Sequence, residues 1–95
     1  MKTKTDCLPL ELVNVVATPA ALEAIREAGQ TLDHFLEKHR HGDWGNLGDD
    51  DAAFYDRALV AGSTVFGEYI TDNFDRIHIY TAIGNYTSVY LPGER

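Results

Sequence analysis

The segment His41-Gly42-Asp43-Trp44-Gly45 contains the single tryptophan of the chain and places it between two glycines. A tryptophan offers one of the largest apolar areas that a small domain can bury, and flanking glycines allow the backbone to fold around the ring. The segment therefore predicts a packed corner rather than a linker. We expect Trp44 to be buried beside the elements that precede and follow it.

Two helices are expected before this corner. Thr18-Pro19 is typical of a helix N-cap followed by proline at the first helical position, which predicts a helix over residues 19–28 that ends at Gly29. Thr31 predicts the cap of a second helix, which ends at His41-Gly42. The side chains expected to face the core are Ala21, Leu22, Ile25 and Ala28 in the first helix and Leu32, Phe35, Leu36 and His39 in the second.

A third helix is expected soon after the corner. It begins at the acidic triplet Asp49-Asp50-Asp51 and runs to about Ala61, because carboxylates at a helix N-terminus accept free N–H groups and oppose the macrodipole. Either Phe54 or Tyr55 is expected to pack inward, and Gly62 is expected to end the helix.

The remaining part of the chain predicts an antiparallel meander. Thr64–Ile70, Arg76–Ala82 and residues 86–91 are rich in β-branched and aromatic residues, and turn-forming residues separate them. In the middle strand the alternation places Ile77, Ile79 and Thr81 on one face and His78 and Tyr80 on the other. Both faces are partly apolar, and we expect helices to cover at least one of them.

These elements predict an α+β fold in which three helices pack on a three- or four-stranded antiparallel sheet, with residues 8–16 as the additional strand. A length of 95 residues fits one compact domain, residues 1–95. Cys7 is the only cysteine, so one chain forms neither an internal disulfide nor a cysteine-based zinc site. With no apolar run near the roughly 20 residues of a membrane span, we expect a soluble cytoplasmic protein without membrane contact.

Negative charge is concentrated in the middle of the sequence. Between Asp43 and Asp75 there are eight acidic residues and one basic residue, Arg57, so this segment has a net charge of −7. Direct binding to nucleic acid requires the opposite sign, since it is favoured by clustered lysine and arginine. A basic surface of another protein would instead attract this segment.

Two groups of residues are candidates for such an interface. The acidic candidates are Asp49, Asp50, Asp51, Asp56, Asp72 and Asp75. The aromatic candidates are Tyr86 and Tyr90, which share one face of the last strand. Pairing of an outer strand with a second copy, which would give a homodimer, is a further alternative.

The chain resembles a family of small bacterial proteins carried on plasmids and other mobile elements. The resemblance covers residues 17–92 and rests on the Gly-Asp-Trp-Gly corner, the acidic helix and two terminal strands, Ile77-His78-Ile79-Tyr80-Thr81 and Thr87-Ser88-Val89-Tyr90-Leu91-Pro92. The chain departs from the family at Thr81-Ala82-Ile83-Gly84-Asn85, where members usually carry a charged segment. The resemblance says little about activity, but a mobile-element setting favours proteins that interfere with host defence.

Two functions from different classes remain open on the sequence. The first is a non-enzymatic acidic protein-binding module that inhibits a host defence complex, such as a CRISPR effector or a restriction enzyme. It requires no cofactor and no metal. The alternative is a small metal-dependent hydrolase that uses His39, His41 and Asp43, because imidazole and carboxylate groups suit zinc.

Overall fold

The computed structural model describes residues 10–94 and confirms the α+β class. Its elements are β1 (Val15–Ala17), α1 (Pro19–Glu27), α2 (Leu32–Arg40), α3 (Asp49–Ala61), β2 (Thr64–Ile70), β3 (Arg76–Ala82) and β4 (Tyr86–Tyr90). Within this part of the chain, no helix is long and apolar enough to cross a membrane.

The helix ends follow the expected chemistry with one exception. Thr18 and Thr31 cap α1 and α2, and their side chains accept the N–H groups of Ala21 and His34. The N-cap of α3 is Gly48, which supplies no side-chain hydrogen bond. The acidic triplet therefore lies in the first turn of α3, where it opposes the macrodipole.

The strands form one sheet in the order β1-β4-β3-β2. β2, β3 and β4 form the expected antiparallel meander, but β1 pairs with β4 in parallel, with Val15 opposite Thr87. The expected strand over residues 8–16 is thus wrong in its bounds and direction. Asn14 has a φ of 50°, which interrupts the extended backbone before β1, and residues 8 and 9 lie outside the described part.

The helices α1 and α2 cover one face of the sheet. The buried cluster there comprises Ala21, Ala24, Ile25, Phe35, Tyr69, Ile77, Ile79 and Val89. Leu22 was expected in this core but is 43% exposed. Positions 21, 24, 25 and 28 form the helical stripe that faces the sheet, and Leu22 lies at its margin.

The Trp44 corner lies between α2 and α3, as predicted. Trp44 is 2% exposed, and its ring makes edge contacts with His39 of α2 at 5.3 Å and with Tyr55 of α3 at 6.3 Å between centroids. Tyr55, and not Phe54, is therefore the inward aromatic of α3. Phe54 is 55% exposed.

The corner also covers part of the outer edge of β2. The N–H of Glu68 donates to the Trp44 carbonyl at 3.1 Å, and the N–H of Asn46 donates to the Glu68 carbonyl. Gly45 has a φ of 77°, and a Cβ there would lie 2.1 Å from the Glu68 carbonyl oxygen. Only glycine permits this backbone approach, which brings the start of α3 beside β2.

Candidate functional site

Most acidic residues of the central segment are on the surface. Six of them form what we call the acidic surface: Asp43, Asp49, Asp50, Asp51, Asp72 and Asp75, all of which are exposed. They belong to the corner, the first turn of α3 and the β2–β3 turn. Each segment has its own connection to β2. Gly45 of the corner pairs with Glu68, α3 packs against β2, and the β2–β3 turn follows β2 in the chain. Lys38 lies 3.9 Å from Asp43 and partly offsets its charge.

Two acidic residues of the same segment have internal partners instead. Asp56 was expected at the interface, but it is half-buried and its Oδ1 accepts the Trp44 indole N–H at 2.9 Å. Glu68 Oε2 lies 2.9 Å from Nε2 of His78 on the neighbouring strand. The His78 hydrogen bond, with a smaller contribution from Asn46, holds the pKa of Glu68 below its usual value. These two carboxylates are therefore parts of the fold.

The two tyrosines proposed for binding differ in exposure. Tyr86 is 37% exposed and stacks on Tyr80, with 6.0 Å between ring centroids. Tyr90 is 7% exposed and makes an edge contact with the His78 ring at 5.6 Å. Because Tyr90 is largely buried, only Tyr86 of this pair offers substantial area to a partner.

A buried chain of hydrogen bonds crosses the core next to Trp44. The Tyr69 hydroxyl donates to the Asp43 carbonyl at 2.8 Å, so its oxygen accepts from His39 Nδ1 at 2.9 Å. Nε2 of His39 then accepts from the Thr81 hydroxyl, which accepts from Thr87, each at 2.9 Å. These hydrogen-bond directions assign His39 the neutral tautomer with the proton on Nδ1.

Burial governs the titration of this network. His39 is 0% exposed, and desolvation lowers its pKa to about 4. Burial also raises the pKa of Tyr69 far above the usual range of a phenol. At neutral pH both groups are uncharged, as a network without a compensating ion requires.

The residues of the metal-dependent alternative do not converge. Both nitrogens of His39 are engaged inside the core, whereas His41 Nε2 lies 3.4 Å from Glu37 on the surface of α2. Asp43 Oδ1 accepts the N–H of Gly45. Among residues 10–94 there is no group of three His, Cys, Asp or Glu side chains that could hold a metal ion. The alternative therefore has no geometric support.

The β2–β3 turn contains two of the expected acidic residues, Asp72 and Asp75, and it also carries a prominent aromatic side chain that was not among the candidates. Phe74 is 87% exposed and has a φ of 66°. Beside this turn lies an open depression of about 420 Å³, which includes Lys38, Asp43, Tyr69 and Asp72 in its lining. A phenylalanine among the turn-forming residues of Thr71-Asp72-Asn73-Phe74-Asp75 is the signal that points to this feature.

Comparison of the chain with protein-family models, curated proteins and solved structures finds no match.

Proposed function

We propose that this chain is a non-enzymatic protein-binding module whose acidic surface docks on a basic region of a partner protein. The observation that carries the proposal is that six of the eight acidic residues between Asp43 and Asp75 are exposed. The other two, Asp56 and Glu68, have partners within the fold. A strongly negative surface beside β2 matches a partner rich in lysine and arginine.

The charge pattern also favours a specific mode of association. Arg57 is the single basic residue between Asp43 and Asp75, and Lys38 offsets part of the charge of Asp43, so the field of the six carboxylates is predominantly negative. Such a field increases the rate of encounter with a basic protein and acts less strongly as salt increases. The partner that we propose is a host defence complex, such as a CRISPR effector or a restriction enzyme, whose nucleic-acid groove is basic. The resemblance to mobile-element proteins supports this choice.

The proposal is tested by interference in cells. A CRISPR effector or a restriction enzyme is expressed with this chain, and the survival of a targeted plasmid is measured by transformation. We expect the wild type to protect the plasmid. The variant Asp49→Asn/Asp50→Asn/Asp51→Asn is expected to protect it less, because three negative charges are lost while the α3 start keeps short polar side chains.

A matched control removes the same charge elsewhere. Glu11, Glu27 and Asp33 are exposed and lie outside the acidic surface. The variant Glu11→Gln/Glu27→Gln/Asp33→Asn is expected to protect the plasmid as the wild type does. Equal loss in both variants would show that only net charge matters, and absence of protection against both kinds of defence complex would remove the proposed partner class.

A further inference from the structure

The β2–β3 turn exposes an aromatic ring to solvent although its backbone conformation there is strained. Phe74 is 87% exposed, and its φ of 66° is in the left-handed region that favours glycine. A bulky residue rarely adopts this conformation, and such positions cluster at functional sites. Neither burial nor local geometry therefore explains phenylalanine at position 74.

The turn is held in place by its own hydrogen bonds. Thr71 is 2% exposed, and its hydroxyl accepts the N–H groups of Asn73 and Asp75 at 3.2 and 3.1 Å. The N–H of Phe74 donates to the Thr71 carbonyl at 2.8 Å. From the other side, Gln30 Oε1 accepts the N–H of Asp72 at 2.9 Å. Because these bonds fix the backbone of the turn, little backbone entropy is lost when a partner covers the ring.

The depression next to the turn adds charge to this apolar projection. Asp43 and Asp72 both line it, and the only lysine in its lining, Lys38, lies 3.9 Å from Asp43. The lining thus carries one more negative than positive charge. Asp72 lines the depression and Phe74 projects from the same turn, so one short segment contributes both the exposed ring and an acidic side chain of the depression.

We propose that the β2–β3 turn is the anchoring point of the interface, with Phe74 packing on the apolar face of a basic amphipathic helix of the partner while a lysine or arginine of that helix enters the depression. This inference rests on the proposed function and names the contact that gives the docked complex its affinity. A second copy of this chain is a poor occupant, because its acidic surface would repel the Asp72 and Asp75 carboxylates. Aromatic side chains that a partner desolvates are the common hot spots of interfaces.

The test uses a probe of the stated chemistry, an amphipathic helical peptide made only of leucine and lysine. We expect the wild type to bind it, with amide chemical-shift changes concentrated at residues 71–76. The variant Phe74→Gly removes the ring and relieves the backbone, so we expect about tenfold weaker binding or more together with an equal or higher Tm. Phe54→Ala, which removes the exposed aromatic of α3, is expected to leave binding unchanged.

Each alternative result has a distinct meaning. Unchanged binding of Phe74→Gly, or shift changes confined to α3, would overturn the anchor, and the acidic docking would stand if salt still weakened binding. Loss of binding in Phe74→Gly without any effect of salt would keep the anchor and remove the acidic docking. A Tm of Phe74→Gly well below that of the wild type would make the ring structural, and absence of wild-type binding to the peptide would overturn the anchor. The acidic docking would then be decided by the protection of the plasmid in cells.

Discussion

At the scale of single residues, His39 has the most constrained chemistry in the molecule. Its neutral ring joins α2 to β2 and β3 through hydrogen bonds to Tyr69 and Thr81. A protonated ring would place a second N–H opposite the Thr81 hydroxyl, which would have to turn its own proton toward Thr87. The directions of the hydrogen bonds at Thr81 and Thr87 therefore depend on the charge state of this imidazole.

This dependence predicts a stability that changes with pH. The pKa of His39 is lowered from 6.5 to about 4 in the fold, so between these values the unfolded chain binds the extra proton. The part of the stability that depends on a neutral His39 is thus fully present above pH 6.5. The free energy of unfolding decreases as pH falls toward 4, by about 3 kcal/mol in total. Urea unfolding at several pH values measures it.

The control for this prediction is His39→Gln, which keeps a hydrogen-bonding side chain without a titrating ring. Its stability at neutral pH is expected to be lower, but its loss of stability between pH 6.5 and pH 4 is expected to be smaller than in the wild type. A wild-type unfolding free energy that does not change over this interval would show that His39 takes up its proton in the fold at the same pH as in the unfolded chain.

Sequence patterns predict the position of His39 but not its role. Helical spacing from Leu32 and Phe35 indicates that His39 faces the core, and the structure confirms it. Its partners cannot be predicted in this way, because Tyr69 and Thr81 are 30 and 42 residues away in the chain. For the same reason local alternation places Tyr90 on the correct face but does not indicate that it is buried.

At the scale of elements, local chemistry predicts nearly all of the architecture. Proline at the start of α1, threonine caps and a left-handed Gly62 locate the helices to within one residue of their observed ends. The parallel pairing of β1 with β4 is the part that the sequence does not predict. It joins residues about 70 positions apart, and three residues of extended chain carry no periodic signal.

The close backbone contact between the Trp44 corner and β2 gives a prediction for Gly45. A Cβ at Gly45 would lie 2.1 Å from the Glu68 carbonyl oxygen and 2.8 Å from the Tyr69 ring. Gly45→Ala therefore combines left-handed strain with displacement of the backbone, and we expect a loss of about 2 to 4 kcal/mol in the free energy of unfolding. Chemical denaturation of the purified variant measures this loss.

Gly29 provides the matched comparison, because it has a φ of 72° and no heavy atom within 4 Å of an added Cβ. Gly29→Ala is expected to lower the free energy of unfolding by about 1 kcal/mol, which is the cost of the left-handed backbone conformation alone. The difference between the two variants isolates the close contact with β2. Equal losses would show that the corner can move away from the strand without penalty.

At the scale of the whole molecule, the net charge of −7 is concentrated in the segments that flank β2. The longest dimension is 37 Å, which is close to the Debye length of about 30 Å at 0.01 M salt and far above the 8 Å at 0.15 M. At low salt, therefore, the exposed carboxylates repel one another across much of the molecule. The same surface that we propose for docking should destabilise the isolated fold.

This repulsion predicts that salt stabilises the free protein while it weakens the docked state. Between about 0.01 and 0.15 M NaCl we expect the free energy of unfolding to rise by roughly 1 kcal/mol, equivalent to about 5 °C in Tm. Screening of exposed pairs such as Arg26 with Glu23 opposes the rise only weakly, since such pairs contribute little. In the variant Asp49→Asn/Asp50→Asn/Asp51→Asn the rise is expected to be smaller, because three of the repelling charges are absent. A Tm that falls with salt, or that rises equally in the wild type and the triple variant, would mean that the carboxylates are too far apart to act as one surface. The docking site would then be restricted to the β2–β3 turn.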